Sequence, residues 1–106
     1  MVGLETALSV VQHTMVETGL LDWPQVAERM AHRPAQIGRL SGQGRPIAPG
    51  EPANLVLLDA AYRGEVEPEG FASRSRNTPY RGLELPGRVT HCWLRGRTTV
   101  VDGKLA

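Results

Sequence analysis

The side chains in this 106-residue chain that could do chemistry are few: three histidines, one cysteine, three alternating glutamates and an arginine-rich loop. A zinc site needs three or four His, Cys or carboxylate ligands converging at short spacings. His13 has no second ligand residue at such a spacing and projects nearly opposite an apolar stripe, so it reads as solvated. His32 precedes Arg33-Pro34 and reads as a cation at a helix C-terminus, where the peptide dipoles favour positive charge. His91 and Cys92 are adjacent in a segment of strand period, which sends them to opposite faces and keeps them from sharing a metal. Cys92 therefore reads as a small buried hydrophobe. Glu65, Glu67 and Glu69 could mimic a cation site, but two apart on an exposed segment they read as a solvated face. Gly42, Gly44 and Gly50 suggest a phosphate cradle, yet no lysine follows in the required order and the next element is a strand, which excludes a nucleotide loop. No nucleophile is paired with a base. The residues assign no catalytic, substrate-binding or metal-binding side chain.

The elements that would position these residues fall into helices first and strands second. Leu4, Leu8, Val11 and Met15 recur at helical spacing and predict an amphipathic helix from Leu4 to about Thr18, with Glu5 in its first turn and Gly19 as its stop. Asp22 is a candidate N-cap for a second helix, with Pro24 in the first turn and Val26, Ala27, Met30 and Ala31 as its buried face. Pro34 disfavours helix at the preceding residue, so this helix is expected to end by His32-Arg33 and a short new one to run from Pro34 to about Leu40. Ser41 to Pro52 is a boundary loop rich in glycine and proline. Asn54 to Asp59, NLVLLD, predicts a strand buried on both faces. Ala60 to Phe71 reads as irregular or weakly extended, with Tyr62 and Val66 as anchors. Arg88 to Leu94 and Thr98 to Val101 predict a hairpin about Arg95-Gly96-Arg97, and Asp102-Gly103 marks a further turn. The remaining stretch, Ser73 to Val89, is too polar for core but densely punctuated by Pro79, Gly82 and the turn pair Pro86-Gly87. It reads as an ordered, docked loop whose backbone is satisfied by Arg74, Arg76, Asn77 and Thr78.

Size and charge narrow the classes. The chain has room for one domain with a modest core, but not for a complete eight-stranded α/β barrel of about 250 residues. Twelve basic residues against eleven acidic give a net charge of +1, and the arginines are scattered, which argues against nucleic acid and anionic membranes. One cysteine allows no internal disulfide and favours an intracellular setting, and neither a membrane-length apolar run nor a signal pattern occurs. A cytoplasmic location is the expectation.

Four stretches carry a family resemblance in the right order: GLETAL at Gly3 to Leu8, HRPAQIGRL at His32 to Leu40, GEPANLVLLD at Gly50 to Asp59, and SRSRNTPYRGLELPGRV from Ser73, followed by a hairpin containing LRGR. Together they resemble the carboxyl-terminal segment of dihydroorotases, members of the amidohydrolase superfamily. GEPANLVLLD is common to many amidohydrolases, whereas GLETAL and SRNTPYRG point to dihydroorotases in particular. The resemblance implies an α+β chain: residues 1–42 as the closing helices of an α/β (TIM) barrel, and residues 43–106 as the carboxyl-terminal strands of an accessory β-sandwich.

The family hydrolyses and closes the ring of dihydroorotate in pyrimidine biosynthesis, using zinc to polarise a ring carbonyl and activate water. Its metal ligands are an HxH pair, a carboxylated lysine and further histidines. These and its catalytic aspartate lie upstream of the position matching GLETAL and have no match here. The resemblance thus implies zinc for the whole family protein and none bound by this chain alone. As partners it implies the amino-terminal remainder of the barrel or another copy of the chain. A second reading is a non-catalytic, dihydroorotase-like partner of aspartate carbamoyltransferase, and a third is a segment of another cyclic amidohydrolase such as a hydantoinase. Strands that lack their usual neighbours should leave an open edge and a chain that is marginal, oligomeric or aggregation-prone on its own.

Overall fold

The computed structural model describes residues 1–106. Gly3 opens the first helix rather than preceding it idly: its carbonyl accepts from the Thr6 and Ala7 amides at 3.2 and 2.9 Å, so Leu4 and Glu5 lie in a lead-in turn. Helix α1 begins at Ala7–Val11 and widens without a break into a π-helical stretch, Gln12–Val16. Gly19, at φ 78°, takes the left-handed conformation that ends it. The expected span from Leu4 to Thr18 is thereby trimmed at both ends.

Asp22 caps helix α2 as expected. Its carboxylate accepts from the Gln25 amide at 2.8 Å while the Gln25 side chain accepts from the Asp22 amide at 2.9 Å, with Pro24 inside the first turn. Helix α2, Trp23–Ala27, passes into a second π-helical stretch, Glu28–His32, and this continues directly into helix α3, Arg33–Ile37. The expected break at His32-Arg33 does not occur: Arg33 keeps helical dihedrals of −64° and −46°. A proline within a helix removes one amide donor and crowds the carbonyl four residues back. Here the Arg33 amide reaches back five residues to Glu28, and this wider turn gives Pro34 room. Of the face expected to be buried, only Val26 is; Met30 is 42% exposed, and Ala27 and Ala31 also face solvent.

The sheet is four-stranded and antiparallel in the order β1-β2-β3-β4, with β1 at Leu55–Glu65, β2 at Glu84–Leu94, β3 at Arg97–Val101 and β4 at Lys104–Leu105. The predicted hairpin is present. Its turn residues Arg95 and Gly96 have φ of 51° and 79°, and Asp102-Gly103 repeats the pattern at 49° and 75° before β4. Left-handed dihedrals at both central residues match the right-handed twist of the flanking strands.

Two strand expectations are corrected. β1 does not stop at Asp59 but runs on to Glu65, so the first half of the stretch read as irregular or weakly extended is a paired strand, because β2 also starts early and pairs with it from Glu84 onward. Pro86-Gly87 is consequently not a turn before β2 but part of it. Between the pairs Asp59↔Arg88 and Arg63↔Pro86, three residues of β1 face one residue of β2, which bends the ladder. Nor is NLVLLD buried on both faces: Val56 is 60% and Leu57 52% exposed, because β1 is an edge strand and only β2 packs extensively against it.

Only nine residues are buried; the apolar ones are Val26 and Ala35 on the helices, and Val66 and Leu85 at the β1–β2 ladder, with Pro68 and Pro86 the fully buried side chains. The accessible surface is 7630 Å² for 11.5 kDa. A compact folded monomer of that mass exposes about 5,800 Å². The radius of gyration, 14.4 Å, likewise exceeds the roughly 13 Å expected for this length.

Candidate functional site

The best-defined constellation is a polar seam where α1 meets the bent part of the β1–β2 ladder. Ser9 Oγ donates to the Gly87 carbonyl at 3.0 Å, and Gln12 Nε2 donates to the Ala60 carbonyl at 2.8 Å. Both carbonyls belong to the bend, where regular pairing fails and leaves backbone groups to be satisfied otherwise. Gly87, at φ 83°, supplies the left-handed backbone, and a Cβ there would collide with the Gln12 carboxamide. Gln12 is 4% exposed, and its Oε1 has no hydrogen-bond partner. At the far end of α1, Arg63 of β1 reaches Glu17 at 2.5 Å. The side of α1 that docks is thus polar. The stripe read as core-facing lies on another side and is covered only in part: Leu8 and Val11 are half-buried, whereas Leu4 is 95% and Met15 38% exposed.

A second anchor holds the loop from Phe71 to Leu83, which is docked as expected but not chiefly by its own side chains. Glu5 accepts from the Ala72 and Ser73 amides at 3.1 and 3.0 Å and from Ser73 Oγ at 2.7 Å. Partial burial pushes the Glu5 carboxyl up, but the hydrogen bonds from Ser73 and Ala72 and the charge of Arg76 outweigh it and hold the group below its ordinary value. The Val2 amide donates to the Asn77 carbonyl at 2.8 Å. Among the four side chains assigned to backbone satisfaction, Arg76 donates to the Ser73 carbonyl and Thr78 Oγ1 accepts from the Tyr80 amide at 3.3 Å. Arg74 and the Asn77 carboxamide make no such bond. Glu5, placed by the sequence only in the first turn of a helix, is the residue whose role the sequence did not reveal.

The candidate metal and acid–base residues are not brought together. His13 is exposed, but a carboxylate does sit beside it: Nδ1 lies 3.2 Å from Glu17 Oε2 one turn on. His32 is not a terminal cation. It lies inside a continuous helical run, and its Nδ1, 2.6 Å from the Gly44 carbonyl, ties the glycine-rich loop to α2. His91 stacks on Trp93 with ring centroids 5.7 Å apart, as two residues on one strand face should. Cys92 is half-buried, and burial pushes its thiol up, away from a reactive thiolate. Glu65, Glu67 and Glu69 are exposed as expected, with Glu69 paired to Arg81 at 3.1 Å. No group of three or more His, Cys, Asp or Glu side chains converges. The donors present therefore do not fit a zinc site. No helix is long and apolar enough to cross a membrane.

Comparison with known proteins bears on this geometry. No protein-family model matches the chain. Dihydroorotase of Streptomyces coelicolor is 74% identical over 105 residues, which is 99% of this chain and 24% of that protein. The Mycobacterium tuberculosis dihydroorotase is 50% identical over the same share of each. The chain thus spans about a quarter of the length of the curated relatives it matches. Among solved structures, L-hydantoinase (dihydropyrimidinase) from Arthrobacter aurescens superposes with a TM-score of 0.88 at 26% identity, over 99% of this chain and 23% of that one. D-hydantoinase (dihydropyrimidinase) from Thermus sp. gives 0.84 at 26% identity over 96% and 22%. The chain is α+β, and it belongs, as a carboxyl-terminal segment, to the dihydroorotases of the amidohydrolase superfamily.

Proposed function

We propose that this segment serves a zinc-dependent dihydroorotase that interconverts carbamoyl aspartate and dihydroorotate in cytoplasmic pyrimidine biosynthesis, and that it contributes closure and support rather than chemistry. The observation that carries this reading is the excess of about 1,800 Å² of accessible surface over a compact monomer of this mass. That is more than one partner contributes to a standard interface and suits an obligate one. Residues 1–42 would close the barrel, and residues 43–106 would complete a β-sandwich begun by the amino-terminal part. Zinc, its ligands and the catalytic aspartate would come from that part, since the donors of this chain do not converge.

The hydantoinase reading keeps some support from the structural likeness at 26% identity, but 74% identity to a dihydroorotase favours the latter. The test is dihydroorotate hydrolysis by the purified chain with added zinc, alone and mixed with an amino-terminal dihydroorotase fragment. Activity only in the mixture is the expected result. Activity of the chain alone would overturn the supporting role, and silence of the mixture, with the two pieces shown to associate, would favour a non-catalytic partner of aspartate carbamoyltransferase.

A further inference from the structure

We infer that the pocket between α3 and the glycine-rich loop binds a small oxyanion, through a carboxylate or phosphate group, with Arg39 as the principal donor. The pocket is an open groove of about 350 Å³, large enough for a small oxyanion and accessible from solvent. His32, Gln36, Arg39, Ser41, Gln43 and Arg45 provide its polar wall, and none of its nine lining residues is a carboxylate. Arg45 of this lining is already paired with Glu51, so Arg39 is the cation left without a counter-ion there, and it is the group that would draw an anion.

Arg39 gives the sharper argument. Its φ of 54° places it in the left-handed position just after a helix, where glycine is the usual residue and a side chain costs about 1 kcal/mol. Glycine would end α3 better, so the arginine side chain calls for another reason. Its guanidinium makes no ion pair or hydrogen bond within the chain, while its neighbours are already oriented. Arg45 is forked onto Glu51 through Nε and Nη2 at 2.8 and 2.7 Å, which leaves Nη1 available. His32 donates from Nδ1 to the Gly44 carbonyl, which fixes the loop against the helix and shapes the pocket wall without supplying it a donor. Gly44 lets the loop approach this closely, since a Cβ there would collide with the Ala31 carbonyl and the Ala35 side chain. The carbonyl end of α3 does not repel the anion strongly: the Gly38, Arg39 and Leu40 amides already bond to the Pro34, Gln36 and Ala35 carbonyls.

The test is a two-dimensional NMR titration of the full chain with inorganic phosphate and, separately, with succinate, against sodium chloride at matched ionic strength. Saturable shifts at the Arg39, Gln43 and Gly44 amides with either probe are expected, and the probe that saturates assigns phosphate or carboxylate. Arg39→Gly should weaken that binding at least tenfold while leaving the urea midpoint unchanged or raised, because glycine suits the backbone. No saturable shift beyond the chloride control with either probe would overturn the site. Undiminished binding by Arg39→Gly would overturn the role of Arg39.

Discussion

Glu5 and Ser73 stand 68 residues apart in sequence, yet two hydrogen bonds join them, and with a third from the Ala72 amide they fix the entry to the arginine-rich loop. Because the folded carboxyl lies below its ordinary value of 4.5, it favours the folded contact above that pH, and the contribution is lost as pH falls through the folded value. An acid titration followed through the Ala72 and Ser73 amide shifts should show a midpoint below 4.5, and Glu5→Gln should abolish that step. Gly87 makes a second prediction at this scale. Gly87→Ala both strains a backbone at φ 83° and drives a methyl into the Gln12 carboxamide. It should cost about 1–3 kcal/mol in urea denaturation, and a Gly87→Ala/Gln12→Ala double variant should recover part of that loss. Neither role was legible from local sequence. A glutamate near a helix start and a glycine after proline have ordinary local explanations, and only contacts spanning most of the chain give them these.

At the scale of elements, what the sequence revealed and what it hid divide by range. The capping box of Asp22 and Gln25 and the two turns with paired left-handed residues depend on a few neighbouring side chains, so composition announces the cap residue and the turns. The extension of β1 to Glu65 and the inclusion of Pro86-Gly87 within β2 depend on each strand finding the other, and on Ser9 and Gln12 satisfying the bend between them. The helical phase of α1 misled for a related reason: the apolar stripe is real but covered only in part. At Pro34 a local rule gave the wrong answer because a widened turn absorbs the clash. Pro34→Ala should therefore raise helicity by circular dichroism and stabilise the chain, by less than the roughly 3 kcal/mol that separates alanine from proline in an undisturbed helix.

At the scale of the whole molecule, the family was legible from four short stretches, while the open surface could only be measured. Exposed Val56 and Leu57 on the edge strand should make the isolated chain self-associate in sedimentation velocity, and a Val56→Lys/Leu57→Lys variant should shift it toward monomer. The same variant should weaken assembly with an amino-terminal dihydroorotase fragment. A monodisperse wild-type monomer with a sharp, cooperative melt would contradict both expectations.

The polar seam on α1 also sets a clock during synthesis. Ser9 meets its acceptor at Gly87, 78 residues downstream. At about 5–20 residues per second, a ribosome takes roughly 4–16 s to deliver that acceptor. Through that interval the polar docking side of α1 waits for its last acceptor, so this seam is completed only after most of the segment has been made.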